Sequence, residues 1–244
     1  AYTSHWADKD IHCTDYQYAS TRGQSKFPEL SIGRIIGNTA ADLIVPIESS
    51  LEVGRGAAHF DRNNTPPANA YGLSGGGDGA GSFWDSLCDI CGRIDNEFYV
   101  VKYRGPDLEQ PIDENFSNQI ISRDVIVYRG HGFDDGFGLA WGGGTALLVW
   151  NNRIRYQDDT GTWHDIVVDF GVANPFVFSL SCCSGKYAGI SGIAEAFLKR
   201  GAAVYIASTE VSMTQDNNEG GKKFFDKWIG NPDKTIGKAW KETR

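Results

Sequence analysis

Two tetrads in this chain hold residue types that do covalent chemistry. One is Arg129-Gly130-His131-Gly132 and the other is Cys182-Cys183-Ser184-Gly185. A cysteine thiol becomes a strong nucleophile near neutral pH when a base or a positive neighbour draws off its proton. An imidazole does this, then returns the proton to a leaving amine. His131 and Cys183 together would therefore carry out nucleophilic acyl transfer. The glycines fit that chemistry. Gly132 would let a substrate carbonyl approach the backbone, and its N–H with that of Cys183 would form an oxyanion hole. Gly185 would permit a tight turn after the nucleophile.

Taken singly, a histidine after a strand is usually a loop residue and a buried cysteine is usually packing. What changes the reading is the setting. Both tetrads end a short apolar run, residues 125–128 and 176–181, and both carry glycine after the reactive residue. The rest of the chain alternates in the same way. Residues 30–36 read as a strand. Thr39 with Asp42 forms a capping-box start, and Pro46 should kink or restart that helix. Residues 54–82 read as a long loop with one short strand at 69–73. Ser82 with Asp85 starts a helix to about Gly92, and 98–103 is a β-branched and aromatic strand. Residues 146–169 read as one or two hairpins. A helix places Ile190, Ile193, Ala194, Phe197 and Leu198 on one face and stops at Gly201. Residues 202–207 form a third apolar strand, and helices near 219–229 and 234–243 follow. Short apolar strands between helices predict an α/β fold with a mostly parallel sheet covered by helices on both faces. In such sheets ligands bind at the carboxyl ends of the strands, which is where both tetrads fall.

The 244 residues suffice for one large α/β domain, and we expect a single domain over 1–244. A net charge of −8 argues against nucleic-acid or anionic-membrane partners and favours a cationic ligand or peptide. No apolar run is long enough for a transmembrane helix. Five cysteines leave at least one thiol unpaired within the chain. Cys88 and Cys91 form a CxxC with no second pair, and His12 and Cys13 restore no zinc spacing, so no metal site is expected. Trp84, Leu87, Cys88 and Cys91 share a helix face and read as core. The glycine run 75–81 lacks the Lys-Ser/Thr of a phosphate-binding loop.

The blocks ending at His131-Gly132 and Cys183-Ser184-Gly185 resemble the paired motifs of caspase-like cysteine peptidases, and His131 and Cys183 stand 52 positions apart. Caspases show a separation of roughly 50. Within that clan the chain looks like the gingipain family. Thr14-Asp-Tyr-Gln-Tyr-Ala19, Pro28-Glu-Leu-Ser-Ile-Gly-Arg34, Ile193-Ala-Glu-Ala-Phe and Gly201-Ala-Ala-Val-Tyr-Ile-Ala-Ser208 are similar to its other elements. The resemblance implies a caspase-like three-layer sandwich and a secreted or cell-surface cysteine endopeptidase acting on protein or peptide substrates. It implies no required cofactor, although some relatives bind a structural calcium. It also implies cleavage after Arg or Lys, with an acidic residue pairing the substrate cation. Asp78 and Asp216 fall near the positions of such an acid, with Glu210 a weaker third. Ser181 and Thr209 are added as substrate-binding candidates. The acid that orients the histidine in some relatives falls in the stretch Gly75–Gly77 here, which leaves a backbone carbonyl as the alternative. Cys183 rather than Cys182 aligns with the nucleophile. Competing readings are a silent caspase-like scaffold and an acyltransferase or transpeptidase using the same pair.

Overall fold

The structure is a computed structural model that describes residues 35, 39–54, 69–76, 83–95, 97–104, 119–139, 146–150, 153–157, 160–166, 169–170, 173–186, 192–231 and 234–243. The expected strand at 30–36 lies outside the described residues, but for Ile35.

Five parallel strands form the main sheet: β1 (Asn69–Ser74), β2 (Tyr99–Arg104), β3 (Val125–Arg129), β9 (Phe176–Leu180) and β10 (Val204–Ala207). Their spatial order is β10-β9-β3-β1-β2. The chain steps outward from β1 to β2, then returns past β1 to lay down β3, β9 and β10 on the other side. That reversal makes the β1/β3 boundary the topological switch point, where such sheets hold their ligands. Because βαβ crossovers are right-handed, reversing direction also moves the connecting helices to the opposite face. Helix α2 (Phe83–Ile94), between β1 and β2, packs Leu87, Ile90 and Cys91 on one face of the sheet. Helix α3 (Ile193–Lys199), between β9 and β10, packs Ile193, Ala196 and Phe197 on the other.

The central strands β1, β3 and β9 are buried on both sides, so alternate residues serve different cores, while the edge strands β2 and β10 are only partly covered. Val125, Val127, Phe176 and Phe178 join α2 and the two C-terminal helices, α4 (Thr214–Trp228) and α5 (Ile236–Thr243). Ile126, Tyr128 and Val177 face α3. The α3 face departs from expectation, because helices do not cover it alone. A second sheet of five antiparallel strands supplies much of it: β4 (His131–Phe133), β5 (Gly136–Gly138), β6 (Ala146–Trp150), β7 (Arg153–Gln157) and β8 (Trp163–Ile166), in that order. Its inward residues Phe137, Leu147, Ile154 and Tyr156 belong to the same core as Tyr128 and Phe197. The hairpins predicted at 146–169 are thus a structural layer. Thr39 and Asp42 make the expected capping box at a short 3-10 helix (Ala40–Leu43), and helix α1 (Ile44–Gly54) restarts around Pro46.

Candidate active site

Strands β3 and β9 are neighbours, with Arg129 in register with Leu180. Both therefore deliver their tetrads to the same edge of the sheet. After β3 the chain must turn into the second sheet within one residue, and Gly130 makes that possible. A side chain there would collide with the hydroxyl of Tyr128. That hydroxyl lies 2.7 Å from the carbonyl oxygens of both His131 and Gly138, so it pins the start of β4. His131 is the first residue of β4 and is partly buried. Gly132 is buried, and a side chain on it would strike the Cys182 carbonyl and meet the Ser181 Cβ at 2.8 Å. The backbone of one tetrad is in direct contact with that of the other. The close approach that Gly132 allows in this structure is therefore to the cysteine turn.

Cys183 has φ +54°, a left-handed conformation that costs a non-glycine residue about 1–2 kcal/mol. The turn is held from below by hydroxyls. Ser179, Ser181 and Ser184 are buried and lie 2.7–2.9 Å from one another. Ser181 thus directs its hydroxyl into the protein interior. From above, the segment after β10 holds the turn. Gly185 N–H donates to the Ser208 carbonyl at 2.8 Å and Cys183 N–H to the Glu210 carbonyl at 3.0 Å. Ser212 N–H donates to Cys182 Sγ at 3.4 Å, and that thiol donates to the Ser212 carbonyl. The expected oxyanion role of the Cys183 amide meets a difference here, since that N–H is already engaged.

The two cysteines are therefore in different situations. Cys182 is a rung between the turn and residue 212. The Cys183 thiol is partly exposed and is raised from its ordinary range, first by burial, then by the Asp134 carboxylate and Cys182, with Lys186 opposing. Asp134 and Lys186 are paired at 2.9 Å and tie the two tetrads together on the outside.

Of the remaining candidates, Thr209 and Glu210 are exposed on the segment that holds the cysteine turn. Asp216 is exposed in the first turn of α4. That helix start is tied to the site, because Arg129 Nη2 donates to the Thr214 carbonyl at 3.3 Å. Asp78 lies outside the described residues, although the preceding Gly75 donates its N–H to the Arg129 carbonyl at 2.9 Å. Sequence reasoning passed over Tyr128, Arg129, Asp134 and Lys186. An arginine closing the apolar run Val125–Tyr128 is the available signal for one of them. Among the described residues no group of three or more His, Cys, Asp or Glu side chains could hold a metal ion. No helix among them is long and apolar enough to cross a membrane.

A parallel sheet sandwiched between layers, with a thiol and an imidazole at adjacent strand ends, defines the caspase-like class of α/β proteins. The chain belongs to peptidase family C25, whose model matches residues 4–244. Its fold is similar to the crystal structure of the Arg specific cysteine proteinase gingipain R (RGPB), with TM-score 0.66 and 17% identity over 94% of this chain and 52% of that one. It is also similar to the complex of Porphyromonas gingivalis RgpB pro- and mature domains, with TM-score 0.70 and 17% identity over 94% and 53%. The chain thus spans about half the length of each. No curated protein matches it.

Proposed function

We propose that this chain is a cysteine endopeptidase domain in which Cys183 is the nucleophile and His131 its base, cleaving after Arg or Lys. The observation that supports this most is the contact of Gly132 with Ser181 and Cys182, which brings the two tetrads together at one sheet edge. In the reaction the Cys183 proton passes to the imidazole and Sγ attacks the scissile carbonyl carbon. The C–N bond then breaks, and the imidazolium proton leaves with the amine. Water hydrolyses the remaining thioester. The Gly132 N–H is the proposed oxyanion donor. Ser181 would contribute through its main chain, since its hydroxyl is turned inward.

Substrate selection rests on Asp216, with Asp78 as a second acid from sequence, and on the net charge of −8. Large apolar side chains flank the site. Phe133, Val211 and Met213 are exposed, within a residue of Gly132 or Ser212. A peptide with a basic residue and apolar neighbours suits such walls. The chemistry requires no cofactor, and no step passes through calcium. Secretion or display at the cell surface fits a protease of protein substrates.

The test is direct. Cys183→Ala should abolish both turnover of peptidyl-arginine and peptidyl-lysine amides and labelling by a thiol-directed peptidyl inhibitor. His131→Ala should lose about 10²–10⁴-fold in turnover. If Cys182→Ala removes activity instead, Cys183 is not the nucleophile. If Arg and Lys substrates are inert while Asn or Asp substrates are cleaved, the basic preference is wrong.

A further inference from the structure

We infer that Phe83 fixes the His131 imidazole in its working orientation and that Arg129 holds Phe83 there. This rests on the reading of His131 as the base. Phe83 opens α2 and is 2% exposed. Its ring meets the His131 ring edge to face, with centroids 5.0 Å apart and planes at 83°. That is a geometry aromatic pairs prefer. The Arg129 guanidinium lies 4.4 Å from the centroid of the same Phe83 ring. Cation–π attraction and the planar shape of the guanidinium make this a stiff contact.

Arg129 is itself fixed. It is 1% exposed and sits at the end of β3 on the α2 and α4 side of the sheet. It donates to the Leu180 carbonyl at 3.0 Å, to Asn218 Oδ1 at 2.8 Å and to the Thr214 carbonyl at 3.3 Å. Asn218 also accepts from Ser86 at 2.5 Å, three residues after Phe83 in α2. Phe83, Arg129, Asn218 and Ser86 thus close a ring of contacts. It joins the β3 end, the β9 end and the N-terminal parts of two helices, and its Phe83 ring packs against the imidazole.

The second side-chain torsion of a histidine is broad, so a packed neighbour is what selects one ring orientation. A general base misplaced by about 1 Å loses about 100-fold in rate. Phe83 and Arg129 are positioning residues on this account, and neither touches substrate.

The experiment uses the whole chain with a peptidyl-arginine amide and iodoacetamide as probes. Phe83→Leu keeps an apolar group and removes the ring. It should lower kcat by about 10- to 100-fold with KM nearly unchanged, and slow alkylation of Cys183 in parallel. Arg129→Lys keeps the charge and loses the planar stack, and should show a smaller loss of the same kind. The double variant should be no worse than Phe83→Leu, because both changes act through one ring. Unchanged kcat in Phe83→Leu, or fully additive losses, overturns the inference. A spectroscopic readout covers variants that do not fold. In Cys183→Ala protein, the His131 ring protons should be displaced in the NMR spectrum by the Phe83 ring current. Ring protons at their ordinary positions overturn the inference. Failure of wild-type Cys183 to react with a peptidyl inhibitor would sink the peptidase reading instead, and the His131 spectrum would still be decisive.

Discussion

Several influences meet at the Cys183 sulfur. Burial disfavours the thiolate, the Asp134 carboxylate and Cys182 add to that, and the Lys186 ammonium works against it. The net direction is upward from the ordinary thiol value. On the proposed mechanism, proton transfer to His131 would accompany attack, so the placing of the imidazole would matter. Asp134→Asn removes a raising charge and frees Lys186 from its pair. The pH midpoint of Cys183 alkylation by iodoacetamide should therefore move down. Lys186→Met should move it up. The reverse order would show that this ion pair does not govern the thiol. Backbone strain offers a second check. Because Cys183 sits at φ +54°, Cys183→Gly should be more stable than Cys183→Ala by about 1 kcal/mol in chemical denaturation. At this scale the sequence is legible where reactivity and position coincide. His131 and Cys183 stand out because each lies just past an apolar run, with glycine at position 132 or 185 close after it. Phe83 does not, since an aromatic at the start of a helix has no local feature that marks its contact with a histidine 48 positions away.

Among the elements, the helices and most strands follow from apolar periodicity and capping. The segment Asn69–Ser74 is harder to weigh. Asn69, Gly72 and Ser74 interrupt its apolar character, and its neighbours are rich in turn formers. It is nonetheless paired on both sides, with β2 and with β3. Gly72 serves this interior place, because Cys91 of α2 would lie 2.8 Å from any Cβ there. The strand expected at 69–73 is thus present, and packing on both sides supports its weak local propensity. Helix α3 shows a polar device of the same kind. Glu195 is 3% exposed and pairs with Lys199 at 2.9 Å, while Lys199 also reaches Asp42 at 3.2 Å. Burial works against the Lys199 charge, but the two carboxylates outweigh it and hold its pKa above the ordinary value. Lys199→Met should destabilise the chain by about 3 kcal/mol in urea, because it takes the ammonium from a buried carboxylate. A loss under about 0.5 kcal/mol would mean that Glu195 is satisfied without it.

Over the whole molecule, the strand order explains why the site lies where it does. Reversal at β1/β3 leaves the carboxyl ends of β1, β3 and β9 open to one edge, and the glycine-rich stretch from Gly75 begins beside the Arg129 carbonyl. The parallel sheet is legible from sequence because β3, β9 and β10 are short apolar runs set between helical stretches. The second sheet reads only as hairpins, because its membership in the core depends on packing against Tyr128 and Phe197. The buried face beneath α2 also carries a pH signature. Burial pushes the Cys91 thiol up to about 12 from 9.0. A folded-state value above the unfolded one stabilises the fold fully below pH 9, and the benefit is lost as pH rises towards 12. Cys91→Ala should reduce the alkaline fall in stability between those limits by up to about 1.4 kcal/mol per pH unit. An unchanged slope would place the alkaline transition elsewhere.

The bond from the Cys183 amide to the Glu210 carbonyl has a consequence for ligand binding. A backbone carbonyl already occupies this donor, the one that the sequence reading expects to share in an oxyanion hole. Recruiting that donor is then an exchange of one carbonyl for another, with little net gain in hydrogen bonding. The chain competes with its own ligands there, and any compound that exploits this amide must also accommodate a displaced residue 210.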